Sequence, residues 1–251
     1  LLKVINAKIL TTLSIEMKSL RLYSYHMFFT LFLIPSSYII INMLNQGFIK
    51  DQVGFLLTGF IVTIMIGAFI SMLSLRVSNL MEAEVLELYS TIIVNKTQLI
   101  IALVLNYLVL SIPQIIIAGI LAVVYSTQVN VLKFIFSIIL AGIFFASIGV
   151  FIGLVIKNKY KASGIVPYIN IIFLVITPIY YRLDNMNRYF VYLYSINPIV
   201  HILNIMRESI GIKGLNSGIT LSYGYIIILC AFLLKSIYKK VNNIYILEKL
   251  I

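Results

Sequence analysis

The chain has 251 residues, 61% of them apolar and only 11% charged, with a mean hydropathy of +1.07. A soluble domain of this length carries about 45–50% apolar and about 25% charged residues, so the composition excludes a water-soluble catalytic domain. The net charge of +11 would point to nucleic acid in a soluble protein, but in a membrane protein the same excess marks the cytoplasmic ends of helices. No nucleic-acid partner is expected.

Residues 1–25 mix Lys3, Lys8, Glu16, Lys18 and Arg21 with apolar residues, and the first long apolar run comes only afterwards, unlike a cleavable secretory signal. Ile5, Ile9, Leu13 and Met17 recur every four residues, which predicts an amphipathic helix lying in the membrane interface. Seven stretches then lack Asp, Glu, Lys and Arg: 27–49, 52–75, 97–132, 134–156, 162–181, 189–206 and 214–234. About 20 apolar residues cross a bilayer as a helix, so most of these are long enough to span.

The predicted fold is an all-α polytopic membrane protein, a single transmembrane domain over residues 1–251. Its six spans lie near 27–44, 53–75, 98–124, 134–156, 162–181 and 217–237. With that count both termini share a side, which holds thirteen of the nineteen basic residues; Lys50, Lys133, Arg182, Arg188, Arg207 and Lys213 fall on the other. The richer side is predicted to be cytoplasmic, in a cell membrane. A seventh span over 189–206 is disfavoured, because Asn197, Pro198, His201 and Asn204 are costly in lipid and Pro198 breaks the run. Residues 182–212 are read instead as an extracellular segment broken into two short helices that re-enter the outer leaflet, sheltered by protein.

The loop 80–96 holds Glu82, Glu84 and Glu87, three of the eight acidic residues. Leu80, Val85, Leu88 and Ile92 recur at helical spacing, with Glu84 and Glu87 on a wetter face. An acidic amphipathic element on a basic cytoplasmic face reads as a docking surface for a soluble partner; the plainer reading is a solvated loop.

No charged residue lies at the centre of a predicted span, which argues against a proton antiporter, although backbone carbonyls can also bind cations. The polar content of the spans is Asn106, Pro113 and Gln114 in the third and Asn170, Thr177 and Pro178 in the fifth. Asn106 and Asn170 need hydrogen-bond partners if buried, either between helices or along a polar strip of a translocation path. Tyr180, Tyr181, Tyr189, Tyr192 and Tyr194 cluster at the outer ends, as an interfacial aromatic belt does. Gly149 and Gly153 form a GxxxG pair that reads first as packing within one protomer.

The chain contains no phosphate-binding loop, metalloprotease motif or nucleophile elbow, so no catalytic residue is assigned. His26 and His201 fall at opposite membrane faces and make a poor metal site, and Cys230 reads as a small packed side chain. No cofactor or metal is expected on this chain.

The order of elements resembles the membrane-spanning permease subunits of type-2 ABC exporters. Residues 5–24 match the amino-terminal interfacial helix, Pro35 the proline of the first span, 80–96 the cytoplasmic coupling element, and 182–212 the broken outer segment. EAEVLELYSTIIVNKTQLI from Glu82, TPIYY at 177–181, INP at 196–198 and IMRESI at 205–210 carry most of the likeness. DNMNRYFVYLY at 184–194 lacks the second proline that relatives often have there, which leaves the shape of the outer segment open.

The resemblance implies two six-span subunits, as a homo- or heterodimer in membrane lipid, with separate ATP-binding cassette subunits that bind ATP and magnesium. Leu80, Glu82, Glu84, Val85, Glu87 and Leu88 would couple to the ATPase. Asn106, Asn170, Thr177, Tyr180, Asn197, Pro198 and Arg207 would line the path or outer gate. The expected task is export of a hydrophobic or amphipathic substrate such as a drug, lipid-linked glycan, peptide or antibiotic; the alternative is a secondary transporter.

The topology is testable with single cysteines in a Cys230→Ser background. An impermeant thiol reagent applied to intact cells should label Gly47→Cys and spare Lys159→Cys; the reverse pattern rejects the orientation.

Overall fold

The computed structural model describes residues 11–18, 25, 28–46, 50–82, 84–85, 96–126, 128–181, 189, 192, 194–212 and 218–248. Every regular element among them is a helix. We number these α1 (11–18), α2 (29–46), α3 (50–80), α4 (Lys96–Tyr125), α5 (Val131–Ile156), α6 (Lys159–Ile176), α7 (Pro198–Ser209) and α8 (Ile219–Glu248). Five stretches are long and apolar enough to cross a membrane: Gln52–Leu80, Thr97–Tyr125, Val131–Ile156, Lys159–Ile176 and Ile219–Asn242. The first predicted span, 27–44, corresponds to α2, whose apolar core Thr30–Ile41 is shorter.

Helix α3 is the hub. In its most apolar stretch 94% of the residues are buried, against 11% in α6 and 17% in α8. It runs as an α-helix over Lys50–Met65, widens into π turns over Ile66–Leu73 and closes as an α-helix over Ser74–Leu80. The widened stretch IGAFISML is buried at every residue. Two neighbours meet it through glycine. A Cβ on Gly67 would sit 3.1 Å from the Thr30 carbonyl of α2, and one on Gly149 would sit 2.1 Å from the Phe69 carbonyl. One turn further along α5, a Cβ on Gly153 would lie 2.7 Å from the Ser74 carbonyl and 2.6 Å from Val77 Cβ. The GxxxG pair therefore seats α5 on α3 within the chain.

The helix ends correct several expected boundaries. The second span was expected to stop near residue 75, but α3 continues to Leu80, in phase with Leu73 and Val77, and all three face the core. Leu80, expected on the docking face, is only 1% exposed. The fifth span was expected to reach 181; α6 ends at Ile176 because Thr177 is extended, as the residue before Pro178 prefers. Pro167 lies inside α6 and Pro113 inside α4, where each removes a backbone donor, a loss that membrane helices tolerate through local adjustment.

The interruption expected at Pro198 is a helix start. Asn197 Oδ1 accepts the Ile199 N–H at 3.0 Å, and Pro198 occupies the first turn, where its missing N–H costs nothing. At 12 residues α7 rises about 18 Å, too short to span, and Ile199 to Arg207 are buried all round.

Successive long helices run antiparallel. Asn130 N–H donates to the Ser209 carbonyl at 2.8 Å, and Gly211, at φ +80°, lies where a Cβ would meet the Gln128 carbonyl at 2.6 Å, so the α4–α5 loop packs on the end of α7. At the opposite end Arg76 joins α3 to α1 by a bidentate pair with Glu16, at 3.0 Å from Nε and 2.9 Å from Nη2. On α1, Thr12 and Glu16 are buried, while the exposed face mixes Ile15 and Met17 with Thr11, Ser14 and Lys18.

Gly149→Ala should destabilise the protein by about 1–3 kcal/mol or more through overpacking, because the obstruction is backbone. Gly142→Ala on the same helix meets nothing within 4 Å and should be neutral or slightly stabilising. Thermal unfolding in detergent checks the pair; equal melting temperatures would show that the α3–α5 seam tolerates a methyl group.

Candidate functional site

At the end of the bundle formed by the starts of α3, α7 and α8, the turn 177–181 is held by side chains from two other elements. Arg207, in the last turn of α7, is 7% exposed. Its Nη1 donates to the Pro178 carbonyl at 3.2 Å, its Nη2 to the Ile179 carbonyl, and its Nε reaches Thr58 Oγ1 at 3.4 Å. The guanidinium carbon stands 3.5 Å from the centroid of the Phe55 ring, so the aromatic face shares in stabilising the charge. A planar cation with five N–H donors can satisfy two successive carbonyls and a hydroxyl at once.

The same turn is fastened twice more. Asn197 Nδ2 donates to Thr177 Oγ1 at 2.9 Å while its Oδ1 caps α7, so one amide serves both segments. Tyr180 and Thr63 hydroxyls lie 2.8 Å apart, and because Thr63 donates to the Gly59 carbonyl at 2.9 Å, Tyr180 is the donor of the pair. Gly59 permits the approach, since a Cβ there would be 2.7 Å from the Ile179 carbonyl. Tyr181 donates to the Tyr194 hydroxyl at 3.2 Å, whereas Tyr189 and Tyr192 are exposed.

A second polar network borders the first. The Ser195 carbonyl can only accept, so His201 Nε2, 2.8 Å away, carries the ring proton. Ser222 then donates to Nδ1 at 3.0 Å and accepts from Asn204 Nδ2 at 3.1 Å. The Tyr225 ring lies 4.6 Å from the imidazole, and its hydroxyl donates to the Ile196 carbonyl at 2.9 Å. This chain ties α7 to the start of α8.

Of the residues expected along a path or gate, Thr177, Tyr180, Asn197, Pro198 and Arg207 are thus brought together. Asn106 and Asn170 are not in this cluster. Asn106 is 0% exposed in the interior of α4, and among the described residues neither of its amide atoms has a hydrogen-bond partner, nor does Oδ1 of the half-buried Asn170. Sequence reasoning missed Thr58, Gly59, Thr63 and Ser222. The small and hydroxyl residues of LTGFIVT, with Gly59 and Thr63 four apart, are the signal that points to a close helix contact.

In the loop after α3, Glu82 Oε1 accepts the Lys159 N–H at 2.9 Å, Glu84 is exposed and Val85 is half-buried against the core. Glu87 and Leu88 lie outside the described residues. Among the described residues no three His, Cys, Asp or Glu side chains gather closely enough to hold a metal ion.

A family model for the ABC-2 type transporter matches residues 16–210, from the carboxylate paired with Arg76 through the end of α7. The chain belongs to the ABC-2 type transporter family. No curated protein matches it. As an ABC-2 permease it is a multi-pass membrane protein of transport, from a family whose members are generally not catalytic and normally work with an ATPase partner.

Arg207→Ala in this permease should cost about 1–3 kcal/mol for each buried acceptor left without its donor, and Arg207→Lys should recover only part, because an ammonium cannot reproduce the planar fork. Thermal unfolding of the three proteins checks this; an Arg207→Lys variant as stable as the parent would remove the geometric requirement.

Proposed function

We propose that the chain is the permease subunit of an ATP-driven ABC exporter, forming a substrate path while a separate subunit binds ATP and magnesium and hydrolyses the nucleotide. The observation that carries the reading is the family match over residues 16–210. In this reading α2 supplies a sixth span, α1 lies in the cytoplasmic interface, both termini are cytoplasmic, and residues 182–212 face outward. The exposed face of α1, which mixes Ile15 and Met17 with Thr11, Ser14 and Lys18, suits a helix lying between lipid and water. The apolar lining available from such spans favours a hydrophobic or amphipathic substrate, and a second permease copy or homologue completes the path.

The docking surface for the ATPase is proposed on the 80–96 loop. Leu80 serves as its buried anchor, Glu84 and Val85 offer the described part of the surface, and Glu87 and Leu88 extend it. ATP binding drives a conformational change only if the ATPase contacts one state of the permease better than the other. A loop anchored at one end in the core and carrying the exposed Glu84 beyond it suits that requirement, since movement of the partner is passed to the helix it grows from.

Leu88→Asp should abolish co-purification with an ABC ATPase encoded beside the permease and with it the ATP hydrolysis of the complex, at unchanged membrane abundance. Normal association and ATP hydrolysis in this variant would place the docking surface elsewhere.

A further inference from the structure

We propose that Asn106 of α4 and Ser78 of α3 are the two halves of a hydrogen bond that forms in a second conformation of the chain, reached when π turns of α3 return to α geometry. The inference goes beyond the transport reading, because it concerns this chain alone and needs neither substrate nor partner.

Asn106 is 0% exposed, and among the described residues neither its Nδ2 nor its Oδ1 has a hydrogen-bond partner. Ser78 is also 0% exposed, and its Oγ is unbonded among the same residues. Ser74, one turn earlier, gives its hydroxyl to the Ile70 carbonyl, the usual recourse of a buried serine in a helix. Ser78 makes no such bond.

The two unpaired groups lie at similar depth on neighbouring helices. A Cβ on Gly54, near the start of α3, would sit 2.8 Å from Ser126 Oγ, just past the end of α4, so the antiparallel pair is in register there. Asn106 lies about twenty residues back along α4 and Ser78 about twenty-four along α3, a difference of about one helical turn. The π turns narrow it, because a wider helix rises less per residue. The last stretch of α3, Ser74–Leu80, touches α4 directly.

Each unpaired group costs free energy, so a change of rotamer that joined them would already be taken. What keeps them apart is the phase of the two backbones. On α3 that phase is set by Ile66–Leu73, whose π turns advance the chain through less than the 100° per residue of an α-helix. Such turns are rare and mostly single, and eight residues of them are an uncommon register. Returning some of these residues to α geometry rotates Ser74–Leu80 about the helix axis, the motion needed to bring Ser78 opposite Asn106. The Arg76–Glu16 pair and the seats of Gly149 and Gly153 favour the described phase, while the two unpaired groups weigh against it. Opposed terms of this kind hold a second state close in energy.

Spin labels on Asn79→Cys, in the last turn of α3, and on Tyr238→Cys, exposed on α8, test this in the full chain in lipid with Cys230→Ser. Pulsed electron resonance should give a second distance beside that of the described conformation. Asn106→Leu should reduce the second component at least about tenfold, because it removes an unpaired group from one state and a bond from the other. Ser78→Ala should do the same. The double variant should go no further than either, since one bond can be lost only once. A single distance in the parent overturns the proposal, as does a second component that survives Asn106→Leu. Reductions that multiply in the double variant would show that the two groups find different partners, and they too overturn the pairing.

Discussion

The arrangement depends on how closely α5 can approach α3. In lipid there is no hydrophobic drive between helices, so association relies on van der Waals contact and on hydrogen bonds, and both require backbones to come near each other. The π turns of α3 set the Phe69 carbonyl toward α5, and Gly149 leaves it the space. With Gly153 repeating the contact against Ser74 and Val77, α3 becomes the buried axis on which α2, α4, α5 and α7 are assembled. Helices α6 and α8 then lie at the periphery with exposed apolar faces.

Polar groups set the rest of the geometry at the two ends of the bundle. At one end the buried Glu16 carboxylate is matched by Arg76, and the Glu82 carboxylate by a backbone donor. At the other, Arg207 is compensated by carbonyls, a hydroxyl and an aromatic ring, and His201 by a serine and a carbonyl. Polar groups withdrawn from water hold a low energy only in the arrangement that pairs them, so these bonds define one conformation sharply and make a second one discrete. A permease needs such discreteness, because an alternating path requires distinct states and not a continuum of shapes.

Asn106 stands apart from this pattern. It is wholly buried in α4, and neither amide atom is bonded among the described residues. An unpartnered amide there raises the energy of this conformation by roughly 1–3 kcal/mol.

Composition and charge spacing alone determined that the chain is a helical membrane protein, where most of its spans fall and which loop carries the acidic face. Those features follow from transfer of side chains between water and lipid, a property each residue has whatever its neighbours. The GxxxG pair was legible for a similar reason, since only small residues allow close approach. The tertiary structure alone decided that α3 runs on to bury Leu80, that Pro198 starts a helix, and that Glu82 caps α6. It alone showed that Arg207 holds the turn 177–181. The acceptors in these contacts and the donor opposite Glu82 are mostly backbone groups. Every residue carries the same carbonyl, and every residue but proline the same N–H, so no pattern of side chains marks which of them a distant arginine or glutamate will meet.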